Sequence, residues 1–335
     1  MSLVLPVFYT LLQLFTLAFI GFLMVRLLKY PRRFFRTLSA FTANVALPIY
    51  FFVSVSKTDP RDVAAAWIFL PAALLVIAIG LAFGWLSSRL VGLGTDERRA
   101  AMGLSSFGNS SYIPVTLMDI FPLTLPSIAG MFPAKTASLY IGVYLLLYSP
   151  TLWTLGNWLV TGSGKKLRFW DVVTPPFLGI LSGLSVVLLG LQGILFRADL
   201  PFLHVYKALE RIGSLTVPLV MISVGALLAG LSLRGEGTAG HWRAALSVSV
   251  VRFLLLPLAF VGAYLLLLKR MGLAPVQVWV LFLETMIPPA TNFSVMAARS
   301  ARNEDLVSLT LLVTYLLYLV ALPVGLVVFL RMTGA

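Results

Sequence analysis

Two apolar stretches each contain a short run of polar residues and helix breakers that is suited to binding a small molecule. The first run, residues 107–114, reads Phe-Gly-Asn-Ser-Ser-Tyr-Ile-Pro, and the second, residues 284–292, reads Glu-Thr-Met-Ile-Pro-Pro-Ala-Thr-Asn. Proline has no backbone N–H and clashes with the preceding helical turn, so each run leaves backbone polar groups without helical partners. In an apolar surrounding such backbone is kept where it is buried in protein or lines a wet cavity.

The side chains of the two runs supply hydrogen-bond donors and acceptors. We assign substrate binding to Asn109, Ser110, Ser111, Tyr112, Thr291 and Asn292. We assign the helix breaks, where the two runs are expected to cross, to Gly108, Pro114, Pro288 and Pro289. Single prolines more often produce kinks, and this is our interpretation of Pro48, Pro71, Pro218 and Pro257.

The ends of the broken helices predict the charge of the substrate. The distal half-helices begin near Pro114 and just after Pro289. Each helix N-terminus carries roughly half a positive charge, so two of them together balance about one carboxylate. We therefore expect a small organic anion.

Two charged residues lie inside apolar stretches and are candidates for coupling or ion binding. Glu284 could be a proton carrier, a sodium ligand, the partner of an arginine or an interfacial residue, because a carboxylate inside a membrane is costly unless it is paired, protonated or bound to a cation. Arg252 could extend toward the cytoplasmic surface, or pair with Glu284 or with the substrate. Asp119 we interpret as an exposed interfacial residue.

The composition places these residues in a membrane protein. Of the 335 residues 59% are hydrophobic and 11% are charged, with a mean hydropathy of +0.97, which excludes an ordinary soluble enzyme. A helix needs about 20 apolar residues to cross a bilayer. The apolar runs predict ten spans at 4–25, 37–56, 63–88, 99–119, 135–160, 172–196, 213–231, 243–268, 274–298 and 306–330.

The basic residues predict the orientation of the chain. The net charge is +13, but the Lys and Arg residues are dispersed between apolar runs, so we expect no nucleic-acid partner. Assigning alternate connections to one side gathers 15 of the 25 basic residues there. The positive-inside rule then places both termini on the non-cytoplasmic side of a bacterial-type cytoplasmic (inner) membrane. Residues 197–212 form the longest external connection, which reads either as a short amphipathic interfacial helix or as a plain connector.

Landmarks recur between the two halves of the chain. Pro48 and Pro218 lie 170 positions apart, and the run Tyr144–Pro150 is echoed by Tyr315–Pro323. Five spans is an odd number, so a second copy enters the membrane upside down, as in many secondary transporters. The sequence therefore predicts an all-α fold of two inverted five-helix repeats, residues 1–164 and 165–335, with the fourth and ninth helices broken near the midplane.

Four segments carry a resemblance to a known family. They are Thr42-Ala-Asn-Val-Ala-Leu-Pro48, Ser106-Phe-Gly-Asn-Ser110, Thr216-Val-Pro-Leu219 and Ile287-Pro-Pro-Ala-Thr-Asn292. In order and spacing they resemble the auxin efflux carrier family of bacterial and plant transporters. The chain departs from the family pattern in its fourth span, where Ser111 replaces a glycine and Pro114 comes two residues early.

The resemblance implies a mechanism as well as a fold. It implies a scaffold of helices 1, 2, 6 and 7, a mobile domain of helices 3–5 and 8–10, and an elevator-like movement that carries organic anions such as auxin-like compounds or dicarboxylates. It also implies a homodimer through the scaffold. The dipeptide Glu284-Thr285 looks like a feature of the related bile-acid sodium symporters, so sodium coupling is an alternative to proton coupling.

Enzyme functions have little support in the sequence. His204 and His241 fall in predicted connections, no phosphate-binding Gly-rich loop occurs, and there is no cysteine to serve as nucleophile or metal ligand. We therefore expect no catalytic residue, metal or cofactor beyond a coupling proton or sodium ion. The alternatives to an anion carrier are an exporter with unbroken helices and a membrane sensor or scaffold that binds ligand without transporting it.

Overall fold

The computed structural model describes residues 4–124, 126–162, 173–230 and 239–334, and within these ranges the chain is helical with no β-strand. This confirms the all-α prediction. The α-helices are α1 (Val4–Arg26), α2 (Arg32–Phe41), α3 (Leu47–Ser56), α4 (Pro60–Ala65), α5 (Phe69–Leu90), α6 (Thr95–Ser106), α7 (Tyr112–Thr124), α8 (Ala134–Thr151), α9 (Asn157–Thr161), α10 (Pro175–Leu188), α11 (Gln192–Leu195), α12 (Pro201–Ser214), α13 (Thr216–Gly230), α14 (Ala239–Val250), α15 (Leu256–Leu266), α16 (Pro275–Met286), α17 (Asn292–Ser300) and α18 (Glu304–Thr333).

Six helical stretches of the described chain are long and apolar enough to cross a membrane. They are Arg33–Ser56, Pro60–Leu90, Ala129–Thr161, Pro201–Gly230, Ala239–Leu266 and Glu304–Thr333. Shorter apolar helices occupy Phe15–Arg26, Tyr112–Phe121, Pro175–Leu188 and Pro275–Met286. Membrane crossing by these four, and the inverted repeat, remain predictions.

Proline accounts for the local irregularities of several helices. Wide π-helical turns occur at Thr42–Ala46 and Val251–Leu255, just ahead of Pro48 and Pro257, and a third at Leu152–Gly156 follows Pro150. A proline lacks the N–H that would close the preceding turn, so the turn opens. Pro71 and Pro218 instead lie in the first turns of α5 and α13, where a missing N–H costs no hydrogen bond.

The described chain divides into two compact units, of which the first comprises Met1–Pro71, Val115–Ser149 and Val173–Gly230. Here α1 packs along α13, and α3 packs along α10. Small residues allow these close contacts, as is usual between membrane helices. A Cβ at Gly225 would lie 1.7 Å from the carbonyl oxygen of Ala18, and one at Gly179 would lie 2.2 Å from that of Pro48.

The amphipathic segment predicted between spans six and seven belongs to this unit. It forms α12, which precedes α13 and exposes Phe202, Val205 and His204. The Tyr206 ring points inward, and its hydroxyl donates to the carbonyl of Val53 at 2.5 Å. The segment is therefore a helix, which is one of the two predicted alternatives.

The second unit comprises Ala72–Pro114, Pro150–Val172 and Leu231–Ala335. Within it, α14 packs against α18 and α6. Close backbone contact again depends on glycine, because a Cβ at Gly80 would lie 2.7 Å from the Cα of Ser106. Ser247 donates to the Ser87 hydroxyl at 2.9 Å and links α14 to α5. This unit contains both polar runs identified in the sequence.

Some predictions fall outside the described residues. The boundary between the proposed repeats at 164/165 is one of them. Four of the basic residues used to orient the chain also lie outside the described ranges: Lys165, Lys166, Arg168 and Arg234.

Candidate functional site

Two nonhelical segments of the second unit pair with each other through their backbones. Residues 107–111 separate α6 from α7, and residues 287–291 separate α16 from α17. The N–H of Asn109 donates to the carbonyl of Pro288 at 2.8 Å, and the N–H of Ala290 donates to that of Phe107 at 2.9 Å. These bonds enclose an antiparallel bridge between Gly108 and Pro289. Backbone groups without helical partners in one segment are thus satisfied by the other.

The sequence explains why helical geometry stops at these positions. Ile287 is extended (φ −71°, ψ 147°) because a following proline disfavours the helical conformation. Phe107, which ends α6, is also extended (φ −109°, ψ 103°). Pro114, whose early position departs from the family pattern, lies in the first turn of α7, where it needs no donor.

Tyr315 of α18 holds both segments. Its hydroxyl accepts a hydrogen bond from Asn109 Nδ2 at 2.7 Å and donates to the carbonyl of Pro289 at 3.4 Å. Asn109 Oδ1 accepts from the N–H of Tyr112, the first residue of α7, at 3.4 Å. The side chain of Asn109, predicted as a substrate ligand, therefore also fixes the shape of the site.

The guanidinium of Arg252 lies directly against the first segment. Arg252 belongs to the π-helical turn after α14 and is fully buried (0% exposed). A Cβ at Gly108 would lie 1.8 Å from its Nη2 atom, and 2.6 Å from Ile287 Cγ1. With a larger residue at position 108, the end of the arginine side chain and Ile287 would have to shift. Of the alternatives open from the sequence, extension of Arg252 toward the surface is wrong, because the side chain turns inward to the polar segments.

Glu284, on the last turn of α16, is also buried, with 1% of its surface exposed. Protein therefore encloses its side chain, and its depth in the membrane stays a prediction. Its two carboxyl oxygens have no hydrogen-bond partner among the described residues. The Arg252 guanidinium and the Ser110 hydroxyl both lie close enough to act on the carboxyl group electrostatically.

Four of the predicted binding residues are more accessible than these. Ser111, Tyr112, Thr291 and Asn292 are half-buried, whereas Asn109 and Ser110 are 4% and 2% exposed. The accessible residues lie where α7 and α17 begin. Asn292 makes no side-chain hydrogen bond in the described part of the chain and can offer its amide to a ligand.

All twelve predicted site residues belong to the second unit, and the structure joins the two runs that contain them. Asp119 is in the first unit and is exposed, as predicted, and its position at a membrane interface stays a prediction. His204 and His241 lie on helices α12 and α14 and not in connections. The described residues contain no cluster of three or more His, Asp or Glu side chains that could hold a metal ion.

The sequence analysis missed Tyr315 and Tyr318 as site residues. Both are buried on α18, and Tyr318 lies within electrostatic reach of Glu284 and Arg252. The two tyrosines had a signal in the sequence, because they match Tyr144 and Tyr148 of the first half. That match was used to argue for a repeat and not for a site.

A separate polar cavity of about 310 Å³ lies elsewhere in the second unit, lined by Asp96, Arg99, Thr161, Gly162, Ala301, Arg302 and Asn303. Arg99 pairs with Asp96. Arg302 and Asn303 donate to the carbonyls of Thr161 and Val160 at 3.5 and 2.8 Å. The polar groups of this cavity thus satisfy the C-terminal turn of α9, a structural role.

Comparison with known proteins identifies the class to which this fold and site belong. A family model described as "Membrane transport protein" matches residues 6–171 and 163–326, which together cover most of the chain. The chain belongs to this family of membrane transporters. The resemblance to auxin efflux carriers is thereby confirmed.

Individual relatives are distant but align over most of their length. An uncharacterized transporter of Methanothermobacter thermautotrophicus is 24% identical over 95% of this chain and 97% of its own. Protein PIN-LIKES 5 of Arabidopsis thaliana is 21% identical over 85% of this chain and 86% of its own. A protein of Rhizobium meliloti named as a candidate malonate transporter is 24% identical over 96% of this chain and 94% of its own. Family membership and the apolar helices together make this a multi-pass membrane protein with a role in transport.

Proposed function

We propose that the chain is a secondary carrier for small organic anions, with its substrate site at the paired segments 107–111 and 287–291. The observation that carries the proposal is the backbone pairing of two nonhelical segments beside a fully buried arginine. Interrupted membrane helices with polar residues at corresponding places in two halves are the usual mark of a transport site.

Electrostatics favour an anionic substrate. The helices α7 and α17 both begin directly after the paired segments, so the positive ends of their dipoles lie at the proposed site. Together the two N-termini contribute about one positive charge. Arg252 adds a full positive charge beside Gly108, which Glu284 offsets when it is ionised. In this proposal Asn292, Thr291, Ser111 and Tyr112 supply hydrogen bonds to the carboxylate.

The finer architecture completes the proposal. Ten spans form two inverted five-helix repeats, and the segments 107–111 and 287–291 cross near the bilayer centre. A scaffold of helices 1, 2, 6 and 7 forms a homodimer, and the other six helices move with the substrate in an elevator-type mechanism. Both termini lie outside the cytoplasm of a cell whose plasma membrane contains the carrier. The close α1–α13 and α3–α10 contacts support the scaffold, because these helices belong to spans 1, 7, 2 and 6.

The relatives narrow the substrate class to be tested first. One relative carries the name of a malonate transporter and another that of the PIN-LIKES proteins. We therefore take dicarboxylates such as malonate as the first substrates to test, followed by auxin-like monocarboxylates. The charge at the site is consistent with either, since both present at least one carboxylate.

The decisive experiment is uptake of radiolabelled malonate by proteoliposomes that contain the purified chain. We expect saturable uptake, and we expect Asn292→Ala to reduce it about tenfold or more, because a hydrogen bond to a charged group is worth about 1.5–3 kcal/mol. Asn44→Ala is the matched control, since Asn44 is exposed and belongs to the first unit. Uptake that survives Asn292→Ala undiminished would remove this residue from the site. Saturable binding of carboxylates with no flux in either direction would indicate a sensor and refute the carrier.

A further inference from the structure

The second unit contains a buried pair of opposite charges whose placement bears on ion coupling. Arg252 is 0% exposed and Glu284 is 1% exposed, and they come from different helices, the π-turn after α14 and the end of α16. Burial of the Glu284 carboxyl group favours its protonated form, and the Arg252 guanidinium favours its ionised form. Two ionised groups in such surroundings are retained at a cost in desolvation, so a functional role is the natural explanation.

Arg252 contacts the proposed substrate site. Its Nη2 atom occupies the space that a Cβ of residue 108 would take, and Ile287, three residues after Glu284, lies 2.6 Å from the same point. The guanidinium and the end of α16 thus meet at the segment that contains Asn109. A change in the charge of Glu284 therefore changes the electrostatic potential at the proposed substrate site.

Few other groups face the Glu284 carboxyl. From the 107–111 segment it is faced by Ser110, and from α18 by Tyr318, which is itself close to Tyr315. No cluster of three or more acidic or histidine side chains occurs in the described ranges. Arg252 is thus the one charged group that acts on this carboxyl within the described structure.

From this arrangement we propose that Glu284 carries one proton with each transported anion, and that Arg252 neutralises Glu284 in the empty carrier and the substrate in the loaded one. The inference rests on the proposed carrier function. Without substrate, Arg252 is positive and Glu284 is negative, and the pair is neutral. When the anion binds, a proton from the same aqueous phase joins the carboxylate, and the guanidinium then faces the anion.

The charge balance explains why a proton accompanies the anion. With a monoanion bound and Glu284 protonated, the three groups again sum to zero, so the loaded carrier crosses without net charge. A dianion such as malonate crosses with one net negative charge. In either case the proton is released to the opposite side together with the substrate, and Glu284 returns to its ionised form beside Arg252.

The same geometry disfavours sodium as the coupling ion. A hard cation needs several oxygen ligands, and here it would lie near a buried guanidinium. Like charges in a low-dielectric site repel strongly. The sodium alternative suggested by Glu284-Thr285 is also weakened by the Thr285 hydroxyl, which donates to the carbonyl of Phe282 at 2.6 Å within its own helix.

Proteoliposomes loaded with buffer and supplied with radiolabelled malonate test the inference when the membrane potential is clamped at zero. An outside-acidic gradient of one pH unit should drive accumulation to about tenfold, the limit for one proton per substrate. An inward sodium gradient at equal pH should drive none. Asp305→Asn, an exposed carboxylate at the start of α18, is the matched control and should behave as the unmodified chain.

Two variants separate coupling from transport. Glu284→Gln mimics the protonated acid, so malonate–malonate exchange should become independent of pH, and gradient-driven accumulation should disappear. Because this change leaves the arginine charge buried without its carboxylate, the doubly neutral variant Arg252→Gln with Glu284→Gln provides a second test. The double variant should elute as a folded protein in detergent and exchange malonate at least tenfold more slowly, since the positive charge is gone.

The outcomes distinguish the two proposals. Two results would overturn proton coupling while the carrier proposal still holds. One is malonate accumulation driven by a sodium gradient, and the other is proton-driven malonate accumulation that persists in Glu284→Gln. Undiminished exchange by the double variant overturns the role of Arg252. Absence of exchange for every carboxylate in the unmodified chain refutes the carrier and the coupling together.

Discussion

A single hydroxyl group connects three parts of the candidate site. The Tyr315 hydroxyl accepts a hydrogen bond from the side-chain amide of Asn109 and donates one to the carbonyl of Pro289. One side chain of α18 therefore connects the two nonhelical segments. Removal of one partner leaves the others buried and unsatisfied, which costs about 1–3 kcal/mol. Removal of the Tyr315 hydroxyl should therefore destabilise the site, whereas it should not remove a substrate ligand.

We expect Tyr315→Phe to lower the midpoint of thermal unfolding in detergent, by an amount that corresponds to about 1–3 kcal/mol. Tyr318→Phe is the matched control, because Tyr318 is similarly buried on the same helix and its hydroxyl has no hydrogen-bond partner in the described structure. Circular dichroism of the three proteins gives the comparison. Equal midpoints for Tyr315→Phe and the unmodified chain would show that these hydrogen bonds do not stabilise the fold.

At the residue scale the sequence predicted the polar groups but not all of their partners. Asn109, Asn292 and Glu284 were identifiable because polar residues in an apolar run are exceptional. Arg252 contacts Gly108, which lies 144 positions earlier, and such a contact has no local signal in the sequence. Tyr315 was ambiguous for the same reason, since a tyrosine is ordinary in a membrane helix until its hydroxyl is seen to reach two distant segments.

Helices in the first unit approach each other where glycines remove side-chain bulk. A Cβ at Gly225 of α13 would lie 1.7 Å from the Ala18 oxygen, and one at Gly21 of α1 would lie 1.9 Å from the Ile222 oxygen. The two helices therefore contact each other backbone to backbone at both positions. Small residues allow the close van der Waals packing that drives the association of apolar helices in lipid.

Gly225→Ala should force α1 and α13 apart and destabilise the protein by about 1–3 kcal/mol, the usual cost of overpacking. Gly262→Ala on α15 is the control, because a Cβ there meets no atom within 4 Å. The stability of both variants is measured by thermal unfolding in detergent, with size-exclusion chromatography to detect the folded protein that remains. If Gly225→Ala were no less stable than Gly262→Ala, close packing at position 225 would not contribute to the stability of the protein.

Element boundaries were predicted best where composition changes sharply. Apolar run length gave α1, which spans Val4–Arg26 against a predicted 4–25, and α18, which spans Glu304–Thr333 against 306–330. The two breaks were also foreseen, because consecutive prolines and Gly-Asn-Ser-Ser disfavour a helix. Their backbone hydrogen bonds to each other were not, since they depend on how α6 and α16 pack, which a single sequence does not encode locally.

At the scale of the whole molecule, the proposed carrier mechanism requires that the paired segments face each side of the membrane in turn. Family membership makes the chain a membrane transporter, and alternating exposure of the site is the property that separates a carrier from a receptor. Ser111 is suited to report it, because this residue is half-buried just before α7 begins. The chain contains no cysteine, so a single introduced thiol gives an unambiguous signal.

The most direct test is the labelling of a Ser111→Cys variant by a membrane-impermeant maleimide applied to right-side-out or inside-out vesicles. An Asp305→Cys variant, at an exposed position, serves as the control and should react from one side only. We predict that the thiol introduced by Ser111→Cys reacts from both sides and that a saturating concentration of a transported carboxylate slows both reactions. Labelling from one side alone, or at rates that no carboxylate changes, would contradict a carrier with its substrate site at the paired segments.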